Sequence, residues 1–352
     1  MNKQNSGAFP LWRFLLLTAR DLRLLFASPL VYVVVIAYLI LAGVLGFNAL
    51  IDAGYLTFKP YFQIAPYLML IIAVVISSNQ LLRRRGSLDI VALLPVSTFE
   101  YVAAKFFTGV LTLLIPLLLS WSLPVAISWA GWGSPDYGLF WAGTLGLLLL
   151  GTSFLAIGLA ASSFVKSQTV AFLVAILIAF IMWLPNQLVP FFSDSVKELL
   201  LNLSFAYHTT WFAQGLITGA DLGYFLGITL FSLAVACFGL TSRHYSARIP
   251  LSAILQVIIA FVVALFVALL FMKLPLRADM TRDRLFTLDN ATARYVEKLN
   301  EDVKIVFFCD QGLPLRLKPY RSEVLTLLRQ YERLSGRIEV SVASPSTETK
   351  AA

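Results

Sequence analysis

Long apolar runs alternate along this chain with short polar breaks, and each run is close to the roughly 20 residues that a bilayer core requires. Seven such runs are readable, at about 30–50, 61–82, 103–130, 138–163, 168–191, 222–241 and 252–274. Pro185 and Pro190 interrupt the far end of the fifth. Two stretches depart from the pattern. In residues 9–27, Arg13 and Arg20 lie seven apart and share a helical face flanked by Asp21 and Arg23, while Phe9, Trp12, Leu15, Leu16, Leu22, Leu25 and Phe26 cover the rest. That arrangement predicts an amphipathic helix lying in the membrane interface. The alternative is a plain extension of the first span, but Ser28-Pro29 punctuates the boundary. Residues 186–221 mix Asp194, Lys197, Glu198, His208 and Asp221 with Leu199, Leu200, Leu203, Phe205, Trp211 and Phe212, too polar and broken to span. Amphipathic helices dipping into the outer leaflet fit this stretch. His208 stands there without evident partners, and a lone interfacial histidine is more often structural than a ligand.

The pattern changes after residue 276. Asp279 to Leu288 leads into a helix ending near Leu299, and Val303 to Phe308 reads as a strand. Tyr320 to Leu334 places Val324, Leu327, Leu328 and Tyr331 on one helical face, Gly336 ends that helix, and Ile338 to Val342 is a second strand. Strand, helix, strand predicts a parallel pair. Two strands alone make a poor sheet, so the tail reads as a truncated fusion or as a domain that a second chain completes. The predicted fold is mainly α. It is a polytopic membrane protein with six core transmembrane helices plus a seventh, followed by a small α/β extracytoplasmic domain. The predicted divisions are 1–28 for the interfacial helix, 29–250 for the six-helix domain, 251–276 for the seventh helix and 277–352 for the outer domain.

Composition sharpens the class. The chain is 59% apolar and 13% charged, with a mean hydropathy of +0.82, which excludes an ordinary soluble globular domain. The net charge of +8 is then a topology signal, and nucleic acid is not the expected partner. Lys3, Arg13, Arg20, Arg23, Arg83 to Arg85, Lys105, Lys166, Arg243 and Arg248 gather on one predicted side, against Lys59 and Lys197 on the other. Positive residues are retained on the cytoplasmic side, so the N-terminus is expected inside and the region after 276 outside. No cleavable signal peptide is evident. Cys237 and Cys309 fall in different environments and read as free thiols. In the fourth run, Gly143, Gly146, Gly151, Ala156, Gly158, Ala160 and Ser162 would let helices approach closely.

One short polar stretch separates the second and third runs. It contains Arg83, Arg84, Arg85, Gly86, Ser87, Leu88 and Asp89, continues through Leu93-Leu94-Pro95-Val96-Ser97, and ends at Glu100 and Lys105. Gly86 breaks the preceding helix, Ser87 is a plausible N-cap for a short one, and Ser97 or Thr98 caps the next, with Glu100 in its first turn. A short helix between two spans suits the docking of another protein; an ordinary loop is the plainer reading.

The wording of this stretch resembles the loop of type-2 ABC exporter permeases, in particular the gliding-motility-type permease subunit. That pattern is a basic cluster, Gly-Thr-Leu-Glu, two leucines, Pro-Val-Ser, an acidic residue and Gly-Lys-Phe. Here it reads Arg84-Arg85-Gly86-Ser87-Leu88-Asp89, Leu93-Leu94, Pro95-Val96-Ser97, Glu100 and Ala104-Lys105-Phe106. Where the family often has glutamates before the basic cluster, this chain has Asn79-Gln80-Leu81-Leu82. The phrase Phe26-Ala27-Ser28-Pro29-Leu30-Val31-Tyr32-Val33-Val34 and the ending Gly215 to Asp221 resemble the same family. Arg277-Ala278-Asp279-Met280-Thr281 and Leu285-Phe286-Thr287-Leu288 resemble the start of that transporter's auxiliary subunit.

The resemblance implies a permease subunit of an ABC transporter in the bacterial cytoplasmic (inner) membrane, exporting an unidentified substrate. A separate cytoplasmic ATPase would carry ATP and Mg, docking on a coupling helix at Arg83, Arg84, Arg85, Gly86, Ser87, Leu88, Asp89, Glu100 and Lys105. Further implied partners are a second permease copy or homologue, an auxiliary chain completing the outer domain, and membrane lipids. The chain itself has no Gly-x-x-x-x-Gly-Lys-Ser/Thr loop, no His-Glu-x-x-His and no Gly-x-Ser-x-Gly motif, so neither catalytic nor metal-binding residues are expected. The span interiors lack the acids and lysines of an ion-driven transporter. Two other readings stand beside export: an ATP-driven complex that transmits mechanical work to outer partners without translocation, and a membrane scaffold without energy coupling.

Overall fold

The computed structural model of the chain describes residues 11–53, 58–82, 96–192, 194–242, 251–274, 276–282, 284–287, 290–297, 299, 301–309, 324–325, 327–328, 331–332 and 335–343. Of these described residues 79% are helical, and a few short strands accompany them. Two compact units divide at residue 280, Met1–Met280 and Thr281–Ala352.

The first unit is a bundle. In chain order its helices are α1 (Leu11–Phe26), α2 (Pro29–Ala53), α3 (Lys59–Leu82), α4 (Thr98–Ser120), α5 (Ser122–Trp129), α6 (Tyr137–Phe164), α7 (Gln168–Trp183), α8 (Pro185–Leu188), α9 (Asp194–Leu203), α10 (Phe205–Ala213), α11 (Gly219–Ser242) and α12 (Leu251–Lys273). Strand β1 (Leu216–Thr218) precedes α11, and β2 (Arg277–Asp279) follows α12. Six helical stretches are long and apolar enough to cross a membrane, and α1 with α2 supplies a seventh if that bent pair is taken as one. The predicted breaks fall where the chemistry put them. Ser28 separates α1 from α2, which turn 74° from each other. Pro185 starts a new short helix after α7, because proline cannot continue the ladder it interrupts.

Helix α6 lies at the centre, packed on α3, α4, α7, α10 and α11. Its glycines make that position workable. Gly143 faces the Phe62 ring, Gly146 faces Phe212, Gly158 faces Ser77, and a β-carbon at Gly151 would come within 3.0 Å of Met69 and Leu113. Around it the core is filled by Phe58, Phe140, Phe154, Phe205, Phe225 and Met69, all buried. The polar side chains buried in the bundle are mostly Ser and Thr hydroxyls, and a medium without water demands partners for them. Tyr38 and Tyr61 hydroxyls meet at 3.0 Å between α2 and α3, and Ser153 Oγ lies 3.1 Å from Thr229 Oγ1 between α6 and α11.

The predicted seventh helix is fastened along its length. Gly219, Gly223 and Gly227, spaced four apart on α11, put that helix against the α12 backbone; β-carbons there would fall 2.6 Å from Phe271 O, 3.0 Å from Ala268 O and 3.1 Å from Ala264 O. Beyond the helix ends, β1 and β2 pair antiparallel, Leu216 with Asp279 and Thr218 with Arg277. Gly219 N donates to Leu276 O at 2.8 Å and Met280 N to Gly215 O at 3.0 Å. Gly215 holds φ at +92°, a left-handed turn that glycine adopts freely. Residues 277–279, expected to begin the outer domain, therefore belong to the first unit.

The second unit contains α13 (Asn290–Glu297) and a two-stranded parallel sheet, β3 (Val303–Phe308) beside β4 (Ile338–Ala343), in register Val303 with Ile338 through Phe308 with Ala343. Helical residues at 324–325, 327–328 and 331–332 fall inside the helix expected between the strands. Phe286, Val296, Ile338 and Ala343 are buried apolar side chains of this unit.

Replacing Gly223 by Leu should separate α11 from α12, because the added atoms meet backbone that cannot rotate away. The expected cost is about 1–3 kcal/mol, read as a lowered midpoint of thermal unfolding in detergent, with Gly43→Leu, where nothing lies near, as the neutral control.

Candidate functional site

The polar stretch expected to dock an ATPase is described from Val96 onward; Arg83, Arg84, Arg85, Gly86, Ser87, Leu88 and Asp89 lie outside the described residues. From Val96 the geometry is well defined. Ser97 is the N-cap of α4: its hydroxyl accepts from Glu100 N at 3.2 Å, and Glu100 Oε2 accepts from Ser97 N at 2.9 Å. This reciprocal capping box satisfies two of the amide donors that a helix start leaves open. Glu100 thus has a structural task at the helix start.

Lys105 points elsewhere. The two side chains are five residues apart on one helix, so they leave it in different directions. Lys105 is buried and its Nζ lies 2.8 Å from Asp21 Oδ2. Asp21 is buried too, and Oδ1 of the same carboxylate accepts from Arg20 Nη2 at 3.1 Å. The Lys105 contact is an ion pair without hydrogen-bond alignment at Oδ2. The Lys105 ammonium also sits 5.4 Å from the Tyr101 ring centre, within cation–π range. One carboxylate is therefore shared between two cations, one on its own helix and one on α4.

The helical pattern of α1 explains this placement. Phe14, Leu17, Thr18, Asp21 and Leu25 form one face, which packs on α4; Phe14 meets the Phe107 ring at 5.6 Å between centres. Asp21 stands in the middle of that face, and it is the one acid in the first 51 residues. Lys105 is the one cation within α4. The sequence placed Asp21 beside a basic face and Lys105 at the end of the polar stretch; it did not show their pairing across 84 positions.

Gln80, on α3 just before the basic cluster, touches α4 as well. With its amide nitrogen toward α4, it donates to the Lys105 carbonyl at 2.7 Å, and its oxygen accepts from Gly109 N at 3.2 Å. An acid there would lack the donor for that carbonyl. The α4 start is thus held from both sides, by Asp21 on α1 and by Gln80 on α3.

A second polar constellation lies between α10 and α11. His208 Nδ1 is 2.6 Å from Asp221 Oδ1, and Nε2 is 3.1 Å from the Asn202 carbonyl. Both ring nitrogens are thus engaged, one by a carboxylate and one by a backbone carbonyl. Thr218 Oγ1 donates to Asp221 Oδ2 at 2.6 Å. The Tyr224 ring stacks on the imidazole at 3.9 Å, and its hydroxyl donates to Leu203 O at 2.6 Å. The expectation of a histidine without partners is corrected: the partner is Asp221, thirteen residues on. With both nitrogens engaged, His208 is a strut joining α10 to α11. Among the described residues no group of three or more His, Cys, Asp or Glu could hold a metal.

Among known families, a model described as a domain of unknown function (DUF7088) matches residues 282–352. No curated protein matches the chain.

Lys105→Met should leave Asp21 buried beside Arg20 alone and cost about 3 kcal/mol, since breaking one side of a buried pair leaves the other side's burial uncompensated. Asp21→Asn together with Lys105→Met should cost less than the sum of the two single changes, and chemical or thermal unfolding of the four proteins in detergent measures the difference.

Proposed function

We propose that the chain is the membrane subunit of an ATP-driven complex, a permease that takes its energy from a separate cytoplasmic ATPase docked on residues 83–105. One observation supports this reading above the others. The polar stretch leads into a capped helix, α4, whose first turns are fixed to α1 through Asp21 and to α3 through Gln80. A load applied at the polar stretch would pass into three helices together. An unanchored loop would absorb it. The basic end of the bundle, with Arg13, Arg20 and Arg23 on α1, is then the cytoplasmic end, and the second unit is extracytoplasmic. The membrane would be the bacterial inner membrane. ATP and Mg would be bound by the ATPase. A second permease copy would complete the complex, and an auxiliary chain would extend the parallel strands β3 and β4.

A specific observation favours a second reading, in which the complex moves its outer domain and translocates nothing. The α11–α12 pair is closed by three glycine contacts and by the β1–β2 clamp, and the chain continues from β2 directly to residue 281. A rigid pair of helices suits the transmission of displacement to the domain that the chain enters next. Export requires differential contacts in two states of the bundle, and an aromatic-filled core gives one such state.

The test separates charge from capping at Glu100. Glu100→Gln keeps a side-chain acceptor at the third helical position and so keeps the cap, while Glu100→Arg loses it. If the carboxylate contacts the ATPase, both variants weaken its co-purification with the tagged chain from mild detergent. If capping is its whole task, Glu100→Gln co-purifies normally. Absence of any P-loop ATPase from the purified wild-type complex, even after crosslinking at residues 86–105, would overturn the energy-coupling proposal and leave a scaffold.

A further inference from the structure

Among the described residues, the outward face of α1 is left exposed by the packing of the bundle. The inner face is committed to α4, and the helix is turned 74° from α2. If α2 crosses a bilayer, a helix at that angle lies nearly in the plane of the interface. Trp12, Leu15 and Leu16 project from the outward face with 60%, 53% and 59% of their surfaces exposed. One to two turns further along the same face come Ala19, Arg20 and Arg23, all exposed. Arg13 places its guanidinium 5.4 Å from the Trp12 ring centre.

The order of these groups is informative. Three large apolar side chains at one end would be costly to leave in water. The arginines at the other end would be costly to leave in hydrocarbon. A membrane surface satisfies both, because acyl chains receive Trp12, Leu15 and Leu16 while headgroups receive the guanidinium groups. The charge selects among headgroups. Arg23 and the exposed part of Arg20 stand on the outward face, and the one aspartate of α1 is already shared between Arg20 and Lys105. A zwitterionic surface offers this excess of positive charge no net partner; an anionic one does.

We propose that the outward face of α1 is a seat for anionic phospholipid, with Trp12, Leu15 and Leu16 inserted among acyl chains and Arg23, with the exposed part of Arg20, against acidic headgroups. The seat is rigid, because the opposite face is held on α4 through Asp21 and the Phe14–Phe107 contact. Occupancy by acidic lipid would therefore fix the orientation of the α4 start as well as that of α1. This assignment is independent of whether an ATPase docks.

The test uses the full chain in vesicles of phosphatidylcholine and phosphatidylglycerol, with bromine on the acyl chains of one lipid or the other. Bromine quenches tryptophan at contact, and comparison with Trp12→Phe isolates Trp12 among the seven tryptophans. Trp12 should be quenched more strongly by brominated phosphatidylglycerol than by brominated phosphatidylcholine at equal amounts. Added salt should reduce the preference. Arg23→Gln should reduce it about fivefold, the worth of one arginine at an acidic surface, and Arg23→Glu should abolish it. Equal quenching by the two lipids would overturn the proposal. So would an unquenched Trp12, which would mean that protein or water covers this face, and so would a preference that survives both Arg23 variants.

Discussion

A bundle this apolar tolerates a charge inside it only where another charge comes to meet it. That constraint explains why its buried acids meet polar partners where helices join. Asp21 and Lys105 fasten α1 to α4; His208 and Asp221 fasten α10 to α11. Each pair costs desolvation, and each removes alternatives, since a helix rotated by one residue would leave a carboxylate facing hydrocarbon. Close packing of α6 and α12 on glycine faces then fills the space between these fixed points. Apolar contact alone would hold the helices together without fixing their register.

The two pairs differ in what they fix. Asp21 orients an amphipathic helix that leaves the bundle at a steep angle, so it sets what that helix presents outward. The His208 cluster closes a short segment of two helices and a turn back onto α11. It also involves Thr218, which is a residue of β1, so the same carboxylate touches the helix pair and the small clamp that joins α11 to α12. In an energy-coupled complex, one pair would lie near the docking stretch that receives the input, and the other beside the clamp from which the chain leaves the bundle.

Much of this architecture was legible in the sequence. The apolar runs gave the helices, Ser28-Pro29 and Pro185 gave two of the breaks, Ser97 and Glu100 gave the α4 cap, and the order strand, helix, strand over 303–342 gave the parallel pair. The small residues of α6 were correctly associated with close packing. Pairing between distant positions was not legible, because periodicity places a residue on a face without naming the face opposite. Asp21 could be read as flanking a basic face; that it is the centre of a buried one depends on α4. Residues 277–279 looked like the start of the tail, because a three-residue strand carries too little pattern to announce a partner 61 positions earlier. Gln80 was legible only as a polar residue near the end of an apolar run, and its bonds to the α4 backbone depend on a helix that periodicity does not name.

The clamp between β1 and β2 bears on how the chain matures during synthesis. Its two strands flank a helical hairpin: one precedes α11 and the other follows α12. They can pair only after both helices have been threaded and the segment after α12 has returned to the side on which β1 waits. Until then the Gly219 amide has no Leu276 carbonyl to receive it. Formation of this small sheet is thus a local record that α11 and α12 are both in place, and a chain arrested before α12 would carry α11 with its glycine face and its first turn both unfinished.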